Sequence, residues 1–241
     1  MCTVSFIPSS NGVIITSNRD EKSVRQIALA PQQFSLEHKQ LYYPVDVNSN
    51  GTWFIVSSNG TVGVLLNGAF TPHIVKEKYS MSRGKILPLI FEQENVVTAL
   101  QNLNLVGIEN FTILIYQHKK LLEFKWNGEQ LFIQELNNNI PHIYSSVTLY
   151  NSAMIEQREL WFKQWLLQNA QPNQANTIQF HSTAGDGNKE FGLQMNRNNL
   201  MLTVSVTSIL IKNNEAILFY KDCLQNKETT QTIALNAMAV C

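Results

Sequence analysis

Charge is scarce in this sequence and favours neither sign. Of its 241 residues 15% are charged, against about 25% in an ordinary soluble domain, and 18 lysines and arginines offset 18 aspartates and glutamates. A nucleic-acid binder needs a basic stripe to displace counterions from phosphates. The nearest candidates, the Lys76/Lys78 and Lys119/Lys120 pairs, read as solvated loop charge. Cysteine is sparse as well: Cys2, Cys223 and Cys241 lie far apart, no CxxC pair occurs and the five histidines are dispersed. Neither a disulfide framework nor a zinc site is therefore expected. Nothing approaches the roughly 18 apolar residues that would span a bilayer, and the start lacks the basic residues and apolar core of a secretory signal. P-loop, GxGxxG, GxSxG and HExxH patterns are also missing, which removes nucleotide, serine-hydrolase and zincin readings. These absences leave a cytoplasmic protein with no membrane span, no nucleic-acid partner and no metal or cofactor. Its partner is a small-molecule substrate or ligand, and its oligomeric state is open.

What is present is a series of hairpins. "CTVSFIP" and "GVIITSN" are β-rich runs joined through Asn11-Gly12; "TWFIVSS" and "TVGVLLN" flank Asn59-Gly60; "LLEFKW" and "EQLFIQEL" flank Asn127-Gly128. Asn-Gly between such runs signals a hairpin because both residues tolerate positive φ. A fourth turn is expected at Lys212–Glu215, between "TVSVTSILI" and "AILFYKD", and "GDG" at Gly185–Gly187 reads as a turn. Helical pattern is confined to the middle, with a pair over residues 83–93 and 95–103 and a longer amphipathic helix in "SAMIEQRELWFKQWLLQNA". The longer helix would bury Met154, Ile155, Leu160, Trp161, Trp165 and Leu166. No linker or repeat divides the chain, so a single α+β domain over 1–241 with largely antiparallel sheets is expected.

The opening "MCTVSFIPSSNGVIITSNRDE" places a cysteine second and an Asn-Arg-Asp-Glu cluster one hairpin later. A free thiol with pKa near 8.5 needs a base at neutral pH. Removal of Met1 would expose the α-amine of Cys2, and an α-amine ordinarily titrates at about 7.7 to 8.0, which suits that task. An antiparallel return brings Arg19, Asp20 and Glu21 back beside residue 2. The arginine there would favour thiolate, and a carboxylate would orient the ammonium form of the amine.

In order and spacing, "MCTVSF", "SNRDE", "GTWF" at Gly51–Phe54, "LLNGAF" around Asn67 and "SRG" at Ser82–Gly84 resemble the NRDE family, whose animal members are the transport-and-Golgi-organisation-2 proteins. That family is similar, at fold level, to the N-terminal-nucleophile hydrolases of the penicillin V acylase and bile salt hydrolase type. The resemblance implies a four-layer αββα sandwich with a catalytic cysteine at the start of a central strand. Carried onto this chain, Cys2 would be nucleophile and, through its amine, base, while Arg19 and one of Asp20 or Glu21 would hold that centre. Asn67 and Asn151, the latter in "TLYNSAM", resemble the positions that supply side-chain amides to an oxyanion. Arg83 and Trp53, inside the matched segments, are the expected substrate-binding side chains. Two departures stand out. Where the family continues with a Pro-Trp pair this chain has "IEQRELWF", with Trp161 as a displaced counterpart or a core residue. Val204 stands where the family has an arginine, for which Arg83 and Arg197 are candidate substitutes.

Two functions follow from these residues. The first is a cysteine N-terminal-nucleophile hydrolase cutting a linear amide or related acyl bond. The alternative is a non-catalytic carrier of haem or a lipid-like ligand on the same scaffold, which would offer a cysteine, histidine or methionine ligand beside an apolar pocket.

Overall fold

The structure, a computed structural model, describes residues 3–236; Cys2 and Cys241 lie outside the described residues. The chain forms two compact units, one from the residues up to Arg25 together with Asn139–Leu235, the other from Gln26–Asn138.

The first unit begins with β1 (Thr3–Ser9) and β2 (Gly12–Lys22), the hairpin expected at Asn11-Gly12. Gly12 adopts φ +135° in its turn, a conformation that costs a residue without Cβ little. The chain then enters the second unit, a seven-stranded antiparallel meander in sequence order. Its strands are β3 (Leu29–Ser35), β4 (Gln40–Val45), β5 (Phe54–Ser57), β6 (Val62–Asn67), β7 (Phe111–Gln117), β8 (Lys120–Trp126) and β9 (Leu131–Leu136). Between β6 and β7 a 3₁₀ turn (Arg83–Lys85), α1 (Ile86–Phe91) and α2 (Val96–Asn102) form the expected helical pair. Leu87, Ile90, Phe91, Val96 and Leu100 pack there on Ile55, Leu65, Ile113, Ile115 and Phe124 of the sheet. Asn95 starts α2 by accepting the Thr98 amide at 3.0 Å, a standard side-chain cap.

Back in the first unit come β10 (His142–Ser145), α3 (Ser152–Gln168), α4 (Gln174–Thr183), the short β11 (Asn196–Arg197), β12 (Met201–Ile211), β13 (Glu215–Asp222) and β14 (Lys227–Ala234). The sheet order is β10-β1-β2-β12-β13-β14, with β11 beside β12, and all its pairs are antiparallel. Ile7 and Ile14 meet Phe162 of α3 and Phe180 of α4 in this unit's apolar core. Each unit thus carries the expected mixture of helices and antiparallel sheet.

Several elements escape a sequence reading, each for a physical reason. α4 buries Thr177, Phe180 and His181, an i, i+3, i+4 stripe in which two of three residues are polar, so hydropathy shows no helical period. β3 is an edge strand, mostly exposed, with Pro31 at the register shift of its pairing with β4, a place where the missing N–H is tolerated. The β7–β8 turn runs through His118 and Lys119 at φ +51° and +57°, a primed hairpin turn without glycine. In α3 Leu160, expected in the buried stripe, is 45% exposed because it lies across the helix from Phe162 and Arg158, the residues that are buried there.

Two of the motif glycines meet in the second unit. A Cβ on Gly51 would stand 2.5 Å from the backbone carbonyl of Gly84, because the Thr52 amide donates to the Gly84 oxygen at 2.8 Å and draws the two chains together. Backbone cannot swing away as a side chain can. Gly51→Ala should therefore cost about 1–3 kcal/mol, read as a lower urea midpoint with unchanged m-value; alanine at Gly187 would meet no neighbouring atom and would be disfavoured only by its φ of +79°.

Candidate active site

β2 carries Asn18, Arg19 and Asp20 consecutively, and alternation along a strand sends neighbours to opposite faces. Thr3 lies opposite Asn18, Ser5 opposite Thr16, and Asp20 opposite Thr203 of β12. Directly paired residues share a face, so Thr3, Ser5, Thr16, Asn18, Asp20 and Thr203 form one polar patch on the face that also carries Ile7 and Ile14 and packs on the helices. Arg19 and Glu21 face the other way. A β-bulge between Thr203 and Ser205 shifts the register there. Ser205 pairs with Arg19 while Thr203 pairs with Asp20, so two hydroxyls two positions apart serve opposite faces. The bulged residue is Val204, where the family's arginine was expected.

On the helix side, Asp20 is buried and doubly held. Its Oδ2 accepts the Tyr150 hydroxyl at 2.6 Å and its Oδ1 accepts the Thr203 hydroxyl at 2.5 Å; Thr203 accepts in turn from the Met195 amide at 3.0 Å. Arg158 of α3 is fully buried. Its Nη1 donates to Thr3 Oγ1 at 2.5 Å, its Nε to the Phe191 carbonyl at 2.8 Å and its Nη2 to the Gly192 carbonyl at 3.0 Å. The guanidinium lies 3.6 Å from the centre of the Tyr150 ring, a cation–π contact.

A second knot completes this layer. Asn18 Nδ2 donates to the carbonyls of His181 and Leu193 at 2.9 and 2.6 Å, which fixes its Oδ1 as the acceptor facing His181 Nδ1 at 2.5 Å. His181 Nδ1 therefore carries the proton, and Nε2, 2.7 Å from Ser5 Oγ, accepts the serine hydroxyl. Ser5, Asn18 and His181 resemble the residue types of a hydrolytic triad, but all three are fully buried, so the serine meets no substrate and the group is structural. Burial, reinforced by the Arg158 charge, pushes the His181 pKa down to about 3.

On the opposite face Arg19 pairs with Glu21 at 3.3 Å, and Glu21 also meets Arg25 at 3.5 Å. Ser205 stands between Arg19 and Asp222 in the sheet, with Tyr220 two residues from Asp222 on the same face. Burial first, and then the Asp222 carboxylate, push the Tyr220 hydroxyl up to about 12, against the opposing influence of Ser205 and Arg19. Of the two acids proposed to accompany Arg19, Glu21 is its direct partner and Asp20 is held on the far face.

The other expected residues divide between the units. Asn151 is exposed and caps α3 through its Oδ1, accepting the Met154 amide at 3.0 Å; its Nδ2 is the atom an oxyanion would need. Trp161 stacks on Phe191 at 5.6 Å and is partly buried against the first unit's apolar core. Arg197 donates to the Glu190 and Leu149 carbonyls and lies 5.4 Å from the Tyr150 ring centre. In the second unit Asn67 ends β6, where the Gly68 amide donates to the Asn110 carbonyl at 3.0 Å. Arg83 donates to that same carbonyl at 2.8 Å and pairs with Glu109 at 2.8 Å. Trp53 is buried, its carbonyl accepting the Leu65 amide. Sequence reasoning missed Tyr150, Arg158, His181 and Thr203. None of the four carries a local signal: Arg158 is buried with Phe162 on α3, a position that a charged side chain does not announce in sequence. Among the described residues no group of three or more histidine, cysteine or acidic side chains could hold a metal, and no helix is long and apolar enough to cross a membrane.

Comparison with known proteins gives a consistent set. A family model described as Transport and Golgi organisation 2 matches residues 1–230. No curated protein matches in sequence. Among solved structures, the Caenorhabditis elegans ortholog of N-acylethanolamine-hydrolyzing acid amidase is similar, with TM-score 0.64 and 15% identity over 87% of this chain and 92% of that one. Two structures of conjugated bile acid hydrolase from Clostridium perfringens cover 100% of both chains at 10% identity. An arginine-to-leucine variant gives a TM-score of 0.55 and a cysteine-to-alanine mutant 0.57. These likenesses show an N-terminal-nucleophile-hydrolase fold.

The neutral His181 sets a pH signature. Its folded pKa lies below the ordinary value of 6.5, so its contribution to stability is complete above about pH 6.5 and is lost as pH falls toward 3, by up to about 1.4 kcal/mol per pH unit. Urea midpoints measured between pH 7 and pH 4 should fall accordingly. His181→Gln should be less stable at pH 7 and should lack this part of the acid slope.

Proposed function

The chain belongs to the Transport and Golgi organisation 2 family, and from that premise we propose that it is a cysteine N-terminal-nucleophile hydrolase acting on a linear amide or related acyl bond of a small molecule in the cytoplasm. The observation that carries this reading is the β1–β2 register. Thr3, bonded directly to Cys2, lies opposite Asn18, and the next two residues are Arg19 and Asp20. A nucleophile at position 2 would thus start beside a cation on one face and a buried carboxylate on the other. The reading also draws on the fold shared with an amide-cleaving acid amidase and a bile acid hydrolase.

In this proposal Met1 is removed and the α-amine of Cys2 takes the thiol proton, directly or through one water. The thiolate attacks the carbonyl carbon, and the amine returns the proton to the leaving nitrogen as the C–N bond breaks. Water then hydrolyses the thioester, with the same amine as base. Arg19 favours the thiolate, with Glu21 fixing its guanidinium. Asp20, held by Tyr150 and Thr203, orients the ammonium. Asn67 and Asn151 are the proposed amide donors to the oxyanion, where neutral donors stabilise charge without titrating. Trp53 and Arg83 are the proposed substrate contacts, and Arg197 is a second candidate for the arginine that Val204 replaces.

Burial pushes the Cys223 thiol up, which leaves it little thiolate at neutral pH, so the proposal separates the two thiols. Site-resolved alkylation at pH 7 should label Cys2 much faster than Cys223; equal rates in the folded protein would remove the activated nucleophile. Intact mass should show a chain without Met1 and, with a reactive amide, an acyl adduct on Cys2. Against a panel of N-acyl amino acids, penicillin V and bile-salt-like amides, Cys2→Ser should lose turnover by orders of magnitude, and Asn67→Ala about 10²–10³-fold. Saturable haem or lipid binding that Cys2→Ser weakens, with no amide turned over, would replace this reading by the carrier.

A further inference from the structure

Resting on the reading of Cys2 as nucleophile, we infer that Arg158 and Tyr150 are positioning residues for it: a buried pair that holds the start of β1 and the carboxylate of Asp20 at a set separation. One rigid guanidinium makes both connections. Nη1 grips Thr3, one peptide bond from Cys2, at 2.5 Å, and the cation lies 3.6 Å from the ring centre of Tyr150, whose hydroxyl reaches Asp20 at 2.6 Å. Nε and Nη2 are tied to the backbone at Phe191 and Gly192, so the fork is anchored independently of the two groups it spaces.

Stability alone is a poor reason for this arrangement. Taking an arginine out of water costs several kcal/mol, and apolar side chains of similar volume often serve a core as well or better. The buried partners of Arg158 are carbonyls, one hydroxyl and a ring face; they satisfy its donors and leave its direction fixed. Direction is what a spacing device needs, since a planar fork bonded at three nitrogens cannot rotate without breaking several bonds at once. Tyr150 adds a lever of fixed length: the ring is clamped by the cation, and the hydroxyl at its far end meets the carboxylate. The amine of Cys2 and the acid proposed to orient it would then be referred to a single buried side chain on α3.

The test uses variants that keep volume. Thr3→Val removes the hydroxyl that Arg158 grips and Thr3→Ser keeps it; Tyr150→Phe removes the bond to Asp20 and keeps the ring. For each full-length, Met1-processed protein, the alkylation rate of Cys2 by iodoacetamide is measured from pH 5 to pH 10, beside the melting temperature. Thr3→Val and Tyr150→Phe should lower the neutral-pH rate about tenfold and move the pH midpoint up by about one unit, while Thr3→Ser keeps the wild-type profile. A merely structural pair would move only the melting temperature. Unchanged Cys2 profiles in folded Thr3→Val and Tyr150→Phe, or equal profiles for Thr3→Val and Thr3→Ser, would overturn the inference and leave the nucleophile intact. Wild-type Cys2 that reacts no faster than Cys223 would overturn both.

Discussion

A full positive charge with no access to water must find its compensation in fixed groups, and in the first unit that requirement falls on Arg158. Its three nitrogens reach two carbonyls on the 191–192 segment and the hydroxyl of Thr3, and its face lies against Tyr150. Three pieces of chain, at Thr3, at Tyr150 and at residues 191–192, are thereby tied to one side chain. Each bond is worth more here than it would be in water, because the alternative is an unsatisfied polar atom in a low-dielectric interior. The neutral state of His181 follows partly from the same charge, and with it the direction of every proton in the Ser5–His181–Asn18 knot.

Between the sheet and its helices lies a layer that is apolar at one end and polar at the other. Ile7 and Ile14 meet Phe162 and Phe180 near the β1–β2 turn; toward the start of β1 the same face carries Thr3, Asn18 and Asp20. The polar end would be a liability if any member lacked a partner, since a half-satisfied buried network costs more than an apolar core. The β12 bulge contributes to the solution. By inserting Val204 it turns Thr203 toward Asp20 and Ser205 toward Arg19, so each of these β2 residues gains a hydroxyl neighbour on its own face.

In the second unit the constraint is steric. Gly51 allows two backbones to approach at a distance that a Cβ there would forbid, which sets the 3₁₀ turn and Arg83 against the segment leading into β5 that carries Trp53. Arg83 then shares the Asn110 carbonyl with Gly68, immediately after Asn67. Three stretches that look unrelated in sequence, "GTWF", "LLNGAF" and "SRG", are joined here by backbone contacts.

The sequence by itself determined the elements whose signals are local. Asn-Gly turns marked three hairpins because positive φ is a property of the residues in the turn, and the hydrophobic period marked α1, α2 and α3. Paired with the opening cysteine, the Asn-Arg-Asp-Glu run singled out Arg19, Asp20 and Glu21, and together with "GTWF", "LLNGAF" and "SRG" in order and spacing it pointed to the family. Tertiary structure alone decided what each residue faces. Strand alternation separated Asp20 from Arg19, one bulge in β12 gave each its own hydroxyl neighbour, and a helix with polar buried positions, invisible to hydropathy, brought His181 onto Asn18 and Ser5. Arg158 looks in sequence like one charge among few, and only the packing of α3 over β1 turns it inward. The reason is common to all these cases: burial of a polar side chain is stable only when partners from other segments converge on it, and that convergence is a property of the fold that no local window of sequence contains.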